Sequence, residues 1–289
     1  MNIGVIGLGL IGGSVALSFR KYFSKVEIWG QDASANHMEE ALDLGLVTRK
    51  LHPKDWIQMD GIVIAIPVDA TAKLLPEVLD AISNRTWVMD MGSTKEAIVQ
   101  AVENHPKRAQ FVAAHPIAGT EFSGPKAASE GLFSKKVMLL CDTQNTDSQR
   151  LQQVIGILNR FEMRIISMDA SSHDLHVAYV SHLSHVSSFM LGQTVLDMEK
   201  NREAIVELAG SGFASTVRLA KSSAAMWAPI FLENKTHVLN ALHEYIAHLN
   251  TFASALEQND RTVLLELMHK ANEIKPILEG MTQNGNPIQ

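Results

Sequence analysis

Near the start of the chain a short β-branched run gives way to Gly7-Leu8-Gly9-Leu10-Ile11-Gly12, and that spacing allows few ways for the segment to fold. Ile3–Ile6 reads as a strand, and Val15, Ala16 and Phe19 fall at helical spacing, so the glycines mark a strand-to-helix turn. In such a turn Gly7 permits the tight reversal, Gly9 lets the backbone approach a pyrophosphate, and Gly12 lets helix and strand pack closely. The helix that begins at Leu10 and Ile11 offers unpaired N–H groups and a partial positive charge to an anion. Asp32 stands 20 residues beyond Gly12, after the run Val26–Trp29, where a carboxylate would accept from ribose hydroxyls. A dinucleotide is the expected ligand. No Arg or Lys lies in Ala33-Ser34-Ala35-Asn36, and Asp32 would repel a 2′-phosphate, so NAD is favoured over NADP. Asp32 is also placed to N-cap the next helix, and the two roles are compatible.

The rest of the chain divides by texture. Residues 1–167 hold 13 of the 18 glycines and 6 of the 9 prolines. Short apolar runs at Gly61–Ile66, Trp87–Met91, Gln110–Ala113, Val137–Cys141 and Arg164–Ser167 alternate there with helical patterns, which predicts a parallel α/β sheet with helices on both faces. From residue 168 on, Ala, Leu, Ser and His recur at helical spacing, which predicts an all-helical part. The expected organisation is thus an N-terminal Rossmann dinucleotide-binding domain, 1–167, and a helical substrate and dimerisation domain, 168–289. Ile230, Val238, Leu239, Leu242, Tyr245, Ile246 and Leu249 cover most of a helix circumference, more than a lobe of this size buries alone, so a homodimer through the helical domain is expected.

Charge and cysteine usage narrow the classes. Lys and Arg number 25 against 31 Asp and Glu, a formal net charge of -6, which argues against nucleic-acid or anionic-membrane partners. Cys141 is the single cysteine, which fits a reducing compartment and excludes an intrachain disulfide. With no basic leader and no apolar run of about 18 residues, a soluble cytoplasmic protein is expected.

Two polar segments follow predicted strands at the edge where open α/β sheets carry their ligands: Asp90-Met91-Gly92-Ser93-Thr94-Lys95 and His115-Pro116-Ile117-Ala118-Gly119-Thr120-Glu121. With these, with Ser123-Gly124, His173-Asp174, Ser181-His182-Leu183-Ser184-His185, Gly212-Phe213 through Arg218, Met226-Trp227 and Ile230-Phe231, the chain resembles the prephenate and arogenate dehydrogenases of tyrosine biosynthesis over nearly its whole length. The resemblance implies an NAD-dependent oxidative decarboxylation: a ring carbinol loses hydride, the ring carboxylate leaves as carbon dioxide, and a phenol results. It implies prephenate as substrate, with arogenate the alternative, and neither a chorismate mutase domain nor a substantial C-terminal regulatory module is expected.

By the same resemblance His115 is the catalytic base, which requires a neutral imidazole, and Ser93 hydrogen-bonds both the ring hydroxyl and His115. Arg218 grips a substrate carboxylate, since a guanidinium does so with two parallel bonds. His182, His185, Thr120 and Glu121 complete the substrate pocket. Other readings of these residues stay open: Ser93 or Thr94 capping the helix near Lys95, His173-Asp174 capping the first helix of the second part, His182 as a core histidine, and Trp227 as core or interface. His182 and His185, three apart on a helix, could also read as half of a metal site, but no metal is expected. Where the family often has Arg-Asp, this chain has Ala214-Ser215, which puts any ionic gate there in doubt. Competing functions are a β-hydroxyacid or imine reductase, which would want a lysine on the helix that here carries His173, His176, His182 and His185, and a non-catalytic dinucleotide sensor.

Overall fold

The computed structural model describes residues 1–120, 122–198, 205 and 207–283. They form two compact units, Met1–Lys235 and Thr236–Gln289.

The first unit is built on eight strands: β1 (Asn2–Ile6), β2 (Glu27–Gln31), β3 (Arg49–Lys50), β4 (Gly61–Ile64), β5 (Trp87–Asp90), β6 (Phe111–Ile117), β7 (Val137–Cys141) and β8 (Arg164–Met168). Their order in the sheet is β3-β2-β1-β4-β5-β6-β7-β8. From β1 the chain runs outward one way to β3 and then returns to continue the other way from β4, so the crevice at the carboxyl ends of β1 and β4 is the switch point where such sheets bind ligands. Side chains alternate between two cores: Ile3, Val63, Met89 and Val112 face one, Ile62, Ile64, Val88 and Phe111 the other. Helices α1 (Leu10–Tyr22), α2 (Ala35–Asp43), α3 (Val68–Ala81), α4 (Glu96–Gln100) and α5 (Ser148–Arg160) connect the strands.

The expectation of an all-parallel sheet is corrected at one place. β6 and β7 pair antiparallel, and β7 and β8 parallel to each other. β5 pairs with β6 only at Phe111 and Val112, but β7 continues the pairing through Ile117. The antiparallel partner therefore carries β6 past the end of the parallel sheet, and His115, read from sequence as a loop residue after a strand ending at Ala113, lies within the strand opposite Leu139. Pro116 fits there because β6 has no parallel partner at that level to which its missing N–H would donate.

After β8 the described residues of this unit are helical: α6 (Ala170–Val177), a π-helical turn (Ala178–His182), α7 (Leu183–Met198), α8 (Ser211–Val217), a 3-10 turn (Arg218–Lys221) and α9 (Ala224–Glu233). α9 packs on α3, and α6 on α4. Thr236–Gln289 comprises most of α10 (Lys235–Glu257), then α11 (Arg261–Ala271) and α12 (Lys275–Gln283). No helix among the described residues is long and apolar enough to cross a membrane.

Candidate active site

The glycine turn takes its shape from three different constraints. Gly7 has φ +91°, in the left-handed region that disfavours side chains, and a Cβ there would lie 2.4 Å from the Ala65 carbonyl oxygen of the neighbouring β4 connection. Gly12 packs on the strand so closely that its Cβ would fall 1.8 Å from the Gly7 carbonyl oxygen. A Cβ on Gly9 would meet no atom of the protein within 4 Å, so the open space over this residue is the room that an approaching phosphate needs. Gly9 is also the N-cap of α1 and contributes no capping side chain, and the first turn holds no acidic residue, so the N–H groups of Leu10, Ile11 and Gly12 head an uncompensated helix dipole.

Asp32 closes this loop. Its Oδ2 accepts from the Leu8 N–H at 2.8 Å and its Oδ1 from the Ser34 N–H at 2.8 Å, tying the turn after β1 to the end of β2. The N-cap of α2 is Ser34, whose hydroxyl accepts from the His37 N–H, so the capping alternative for Asp32 does not hold. Its remaining lone pairs, in a largely buried carboxylate, fit the ribose role.

The second half of the site is a buried polar cluster. Asp90, at the end of β5, and Lys95 are wholly buried and paired; Lys95 Nζ also donates to the Ala114 carbonyl at 2.8 Å, and Asp90 accepts from the Ala114 N–H at 3.0 Å. This pair grips β6 at the residue before His115. By strand alternation His115 shares the face of Phe111 and Ala113, the side on which Ala170 and Trp227 also pack. There His115 Nδ1 lies 2.8 Å from His173 Nε2, and His173 Nδ1 lies 2.7 Å from Asp174 Oδ1. The partner expected to orient His115 was Ser93; the structure supplies His173 instead, because β6 and α6 meet on this face. Ser93 is half-buried in the loop between Met91 and Lys95, and neither it nor Thr94 caps α4. That cap comes from Asp174, which accepts from the N–H groups of Lys95 at 2.7 Å and Glu96 at 2.9 Å. α6 has its own N-cap, Asp169, so His173 and Asp174 face inward from the helix interior.

Asn234, which no sequence pattern marked, closes the cluster from the end of α9. Its amide donates to the Asp174 carbonyl at 2.7 Å and lies 3.2 Å from His182 Nδ1. His182 ends the π-helical turn, a departure from α geometry that recurs at functional sites. Trp227 joins this histidine to the next: His182 meets it edge-on, and His185 stacks on it with ring centroids 3.5 Å apart. His185 Nδ1 donates to the Ser181 carbonyl at 3.0 Å.

Burial favours the uncharged form of three of these rings. His115 is held well below the ordinary imidazole value by burial, with His173, Lys95 and His182 adding to the effect. Burial pushes His182 down to about 4, reinforced by His173 and His185 against the opposing pull of Asp174. His185 is lowered by burial and by Arg218. That electrostatic link places Arg218, at the start of the 3-10 turn, on the His185 side of the cluster; among the described residues no carboxylate forms an ion pair with it. Ala214 and Ser215 are exposed on α8, so the acidic neighbour that the family often has is missing here. Thr120 is exposed, its hydroxyl accepting from the Phe122 N–H, and Glu121 lies outside the described residues. No group of three or more metal-ligating side chains occurs among the described residues.

Residues 15–167 match the family model for the prephenate dehydrogenase nucleotide-binding domain, and residues 169–270 the model for the prephenate dehydrogenase dimerization domain. The chain belongs to the prephenate dehydrogenase family. Prephenate dehydrogenase of Bacillus subtilis (strain 168) is 32% identical over 273 residues, which covers 93% of this chain and 74% of that protein. Cyclohexadienyl dehydrogenase of Zymomonas mobilis subsp. mobilis is 29% identical, with 96% of each chain covered. The crystal structure of prephenate dehydrogenase from A. aeolicus in complex with hydroxyphenyl propionate and NAD+ matches with a TM-score of 0.86 at 30% identity, over 96% of this chain and 97% of that one. In this member of the family the glycine turn follows β1 and the His115 cluster gathers at β5 and β6 of the same sheet.

Proposed function

We propose that this chain catalyses the NAD-dependent oxidative decarboxylation of prephenate to 4-hydroxyphenylpyruvate in tyrosine biosynthesis. The observation that carries the reading is His115, carried past the parallel sheet by β7 and kept neutral by its surroundings, on a sheet whose switch point holds a phosphate-ready glycine turn. Gly7, Gly9 and Gly12 with the N–H groups of Leu10 and Ile11 hold the pyrophosphate of NAD, and Asp32 its ribose. Bound NAD supplies the hydride acceptor.

The residues of this chain handle the proton and the charges. His115 accepts the proton of the ring hydroxyl as the carbinol hydrogen departs, which turns the carbinol into a carbonyl. Loss of the ring carboxylate as carbon dioxide then leaves its electron pair to aromatise the ring, and the phenolate oxygen takes the proton back from His115. Ser93 hydrogen-bonds the same oxygen. Arg218 holds a substrate carboxylate, while His182, His185 and Thr120 line the remaining pocket.

The functional boundary lies at 167/168, with residues 168–289 forming the substrate and dimerisation domain. Homodimerisation is supported by the family model matched there and by Ile246, Leu249, Leu256 and Ile277, apolar side chains 43%, 50%, 55% and 59% exposed in the single chain. The protein works in the cytoplasm. The end-to-end match to a cyclohexadienyl dehydrogenase supports a second reading, in which arogenate is taken as well. Purified protein with NAD and prephenate should generate NADH and 4-hydroxyphenylpyruvate. Absence of both, with arogenate equally inert, would sink the proposal, and steady-state rates on the two substrates rank them.

A further inference from the structure

The hydrogen bonds behind His115 run in one direction. Asp174 accepts on both oxygens from groups that can only donate: the Lys95 N–H on Oδ1 and the Glu96 N–H on Oδ2. Its Oδ1 also faces His173 Nδ1 at 2.7 Å, so that nitrogen carries a proton and donates it. With its proton donated from Nδ1, His173 has Nε2 left to accept, 2.8 Å from His115 Nδ1, and a bond donated by His115 fills that place. The His115 lone pair is left on Nε2.

We propose that His173 and Asp174 are positioning residues that fix His115 as its Nδ1–H tautomer, so that Nε2 is the nitrogen that meets the substrate hydroxyl. The proposal rests on His115 acting as the base. Which ring nitrogen of a histidine carries the proton is set by the bond the other one makes, and without an acceptor at Nδ1 the basic nitrogen would often be the wrong one.

The anchor of this chain of bonds is a helix end. α4 has no capping side chain of its own, and Asp174 from α6 fills that place. The carboxylate is therefore held by two backbone groups while it holds His173, and the Asn234 amide fixes the backbone of Asp174 from a third element. His173 and Asp174 are both wholly buried, so water does not compete for either bond. When Nε2 takes the hydroxyl proton, the bond from His115 Nδ1–H to His173 becomes charge-assisted and shorter, with a carboxylate beyond it. No proton has to travel along the chain, and the one taken by Nε2 returns to the product oxygen.

The direct test uses the unmodified full-length protein. With 15N-labelled histidine, two-bond proton–nitrogen correlation spectra report which nitrogen of each ring is protonated, and His115 is assigned by the signal lost in His115→Asn. A proton on Nδ1 and a bare Nε2 is the expected result; a proton on Nε2 overturns the proposal. Kinetics give a second test. His173→Ala should lower kcat about 10- to 100-fold, by analogy with the loss on removing the outer partner of a metal-bound histidine, with NAD affinity unchanged. His173→Gln, whose amide offers one donor and one acceptor, should recover part of that loss. Full kcat in His173→Ala overturns the proposal even where His115→Asn is inert. Should His115→Asn keep its turnover, the assignment of the base fails, while the spectrum still decides the tautomer. Should a His173 variant fail to bind NAD or to fold, the wild-type spectrum decides.

Discussion

The cofactor cradle draws its residues from Gly7 to Asp32 and is made mostly of backbone, whereas the histidine cluster gathers side chains from Asp90 to Asn234 across β5, β6, α6 and α9. The cradle works through absent side chains: three glycines keep space clear, and one carboxylate ties the loop down. The cluster works through buried side chains, Asp90, Lys95, His173 and Asp174 above all, where each polar group needs its partner or costs free energy on the order of 1–3 kcal/mol. The first arrangement tolerates change elsewhere in the fold. The second depends on every element that brings its members together.

This contrast makes predictions that separate the two halves. His115→Asn should reduce kcat by about 10²- to 10⁴-fold, the worth of a positioned general base, with little change in NAD affinity measured by fluorescence titration. An equal loss of NAD affinity would mean that the halves are not separable. Arg218→Ala should raise KM for prephenate about 10- to 100-fold, as expected for a charged hydrogen-bonded contact worth ~1.5–3 kcal/mol, again without effect on NAD; unchanged KM would remove Arg218 from the substrate.

Within the cradle, Gly9→Val and Gly12→Val should diverge. The Gly9 side chain enters open space and should weaken NAD binding about tenfold with the melting temperature kept, since its cost falls on the ligand. At Gly12 the new Cβ would collide with the Gly7 carbonyl, and overpacking of this kind costs about 1–3 kcal/mol of stability. Calorimetry with and without NAD tells them apart, and equal melting temperatures would contradict the geometry. The smallest effect is on pH. The unfolded chain protonates His182 near the ordinary 6.5, but the folded protein resists down to about 4, so stability is full above 6.5 and falls as pH drops from 6.5 toward 4. His182→Gln should flatten that slope in thermal melts; a slope unchanged by the substitution would assign it to other groups.

How far the sequence could be read follows the same divide. Gly7, Gly9, Gly12 and Asp32 were legible because the structure they make is local, a turn and the strand end beside it. The segment holding His115 was legible as a motif, but its placement in a strand was not, because the antiparallel β7 that extends β6 comes from 20 residues further along. His173-Asp174 stood out as a pair of polar residues near a helix start, and its task remained open, since the helix that Asp174 caps lies 78 residues away in sequence. Asn234 gave no signal at all. An amide after an apolar helix reads as a helix end, and only the folded chain brings it against His182 and the Asp174 carbonyl.

What the sequence by itself determined is therefore the strand-and-helix alternation, the dinucleotide turn and the family to which the segments around His115 and Arg218 point, all carried by periodicity, glycine spacing and short motifs. What only the tertiary structure decided is which groups meet. Hydrogen bonds of 2.7 and 2.8 Å between residues 79 and 58 positions apart depend on where sheet and helices pack, and burial at that junction lowers the His115 pKa. Periodicity carries the direction in which a side chain points, but not the partner it finds there.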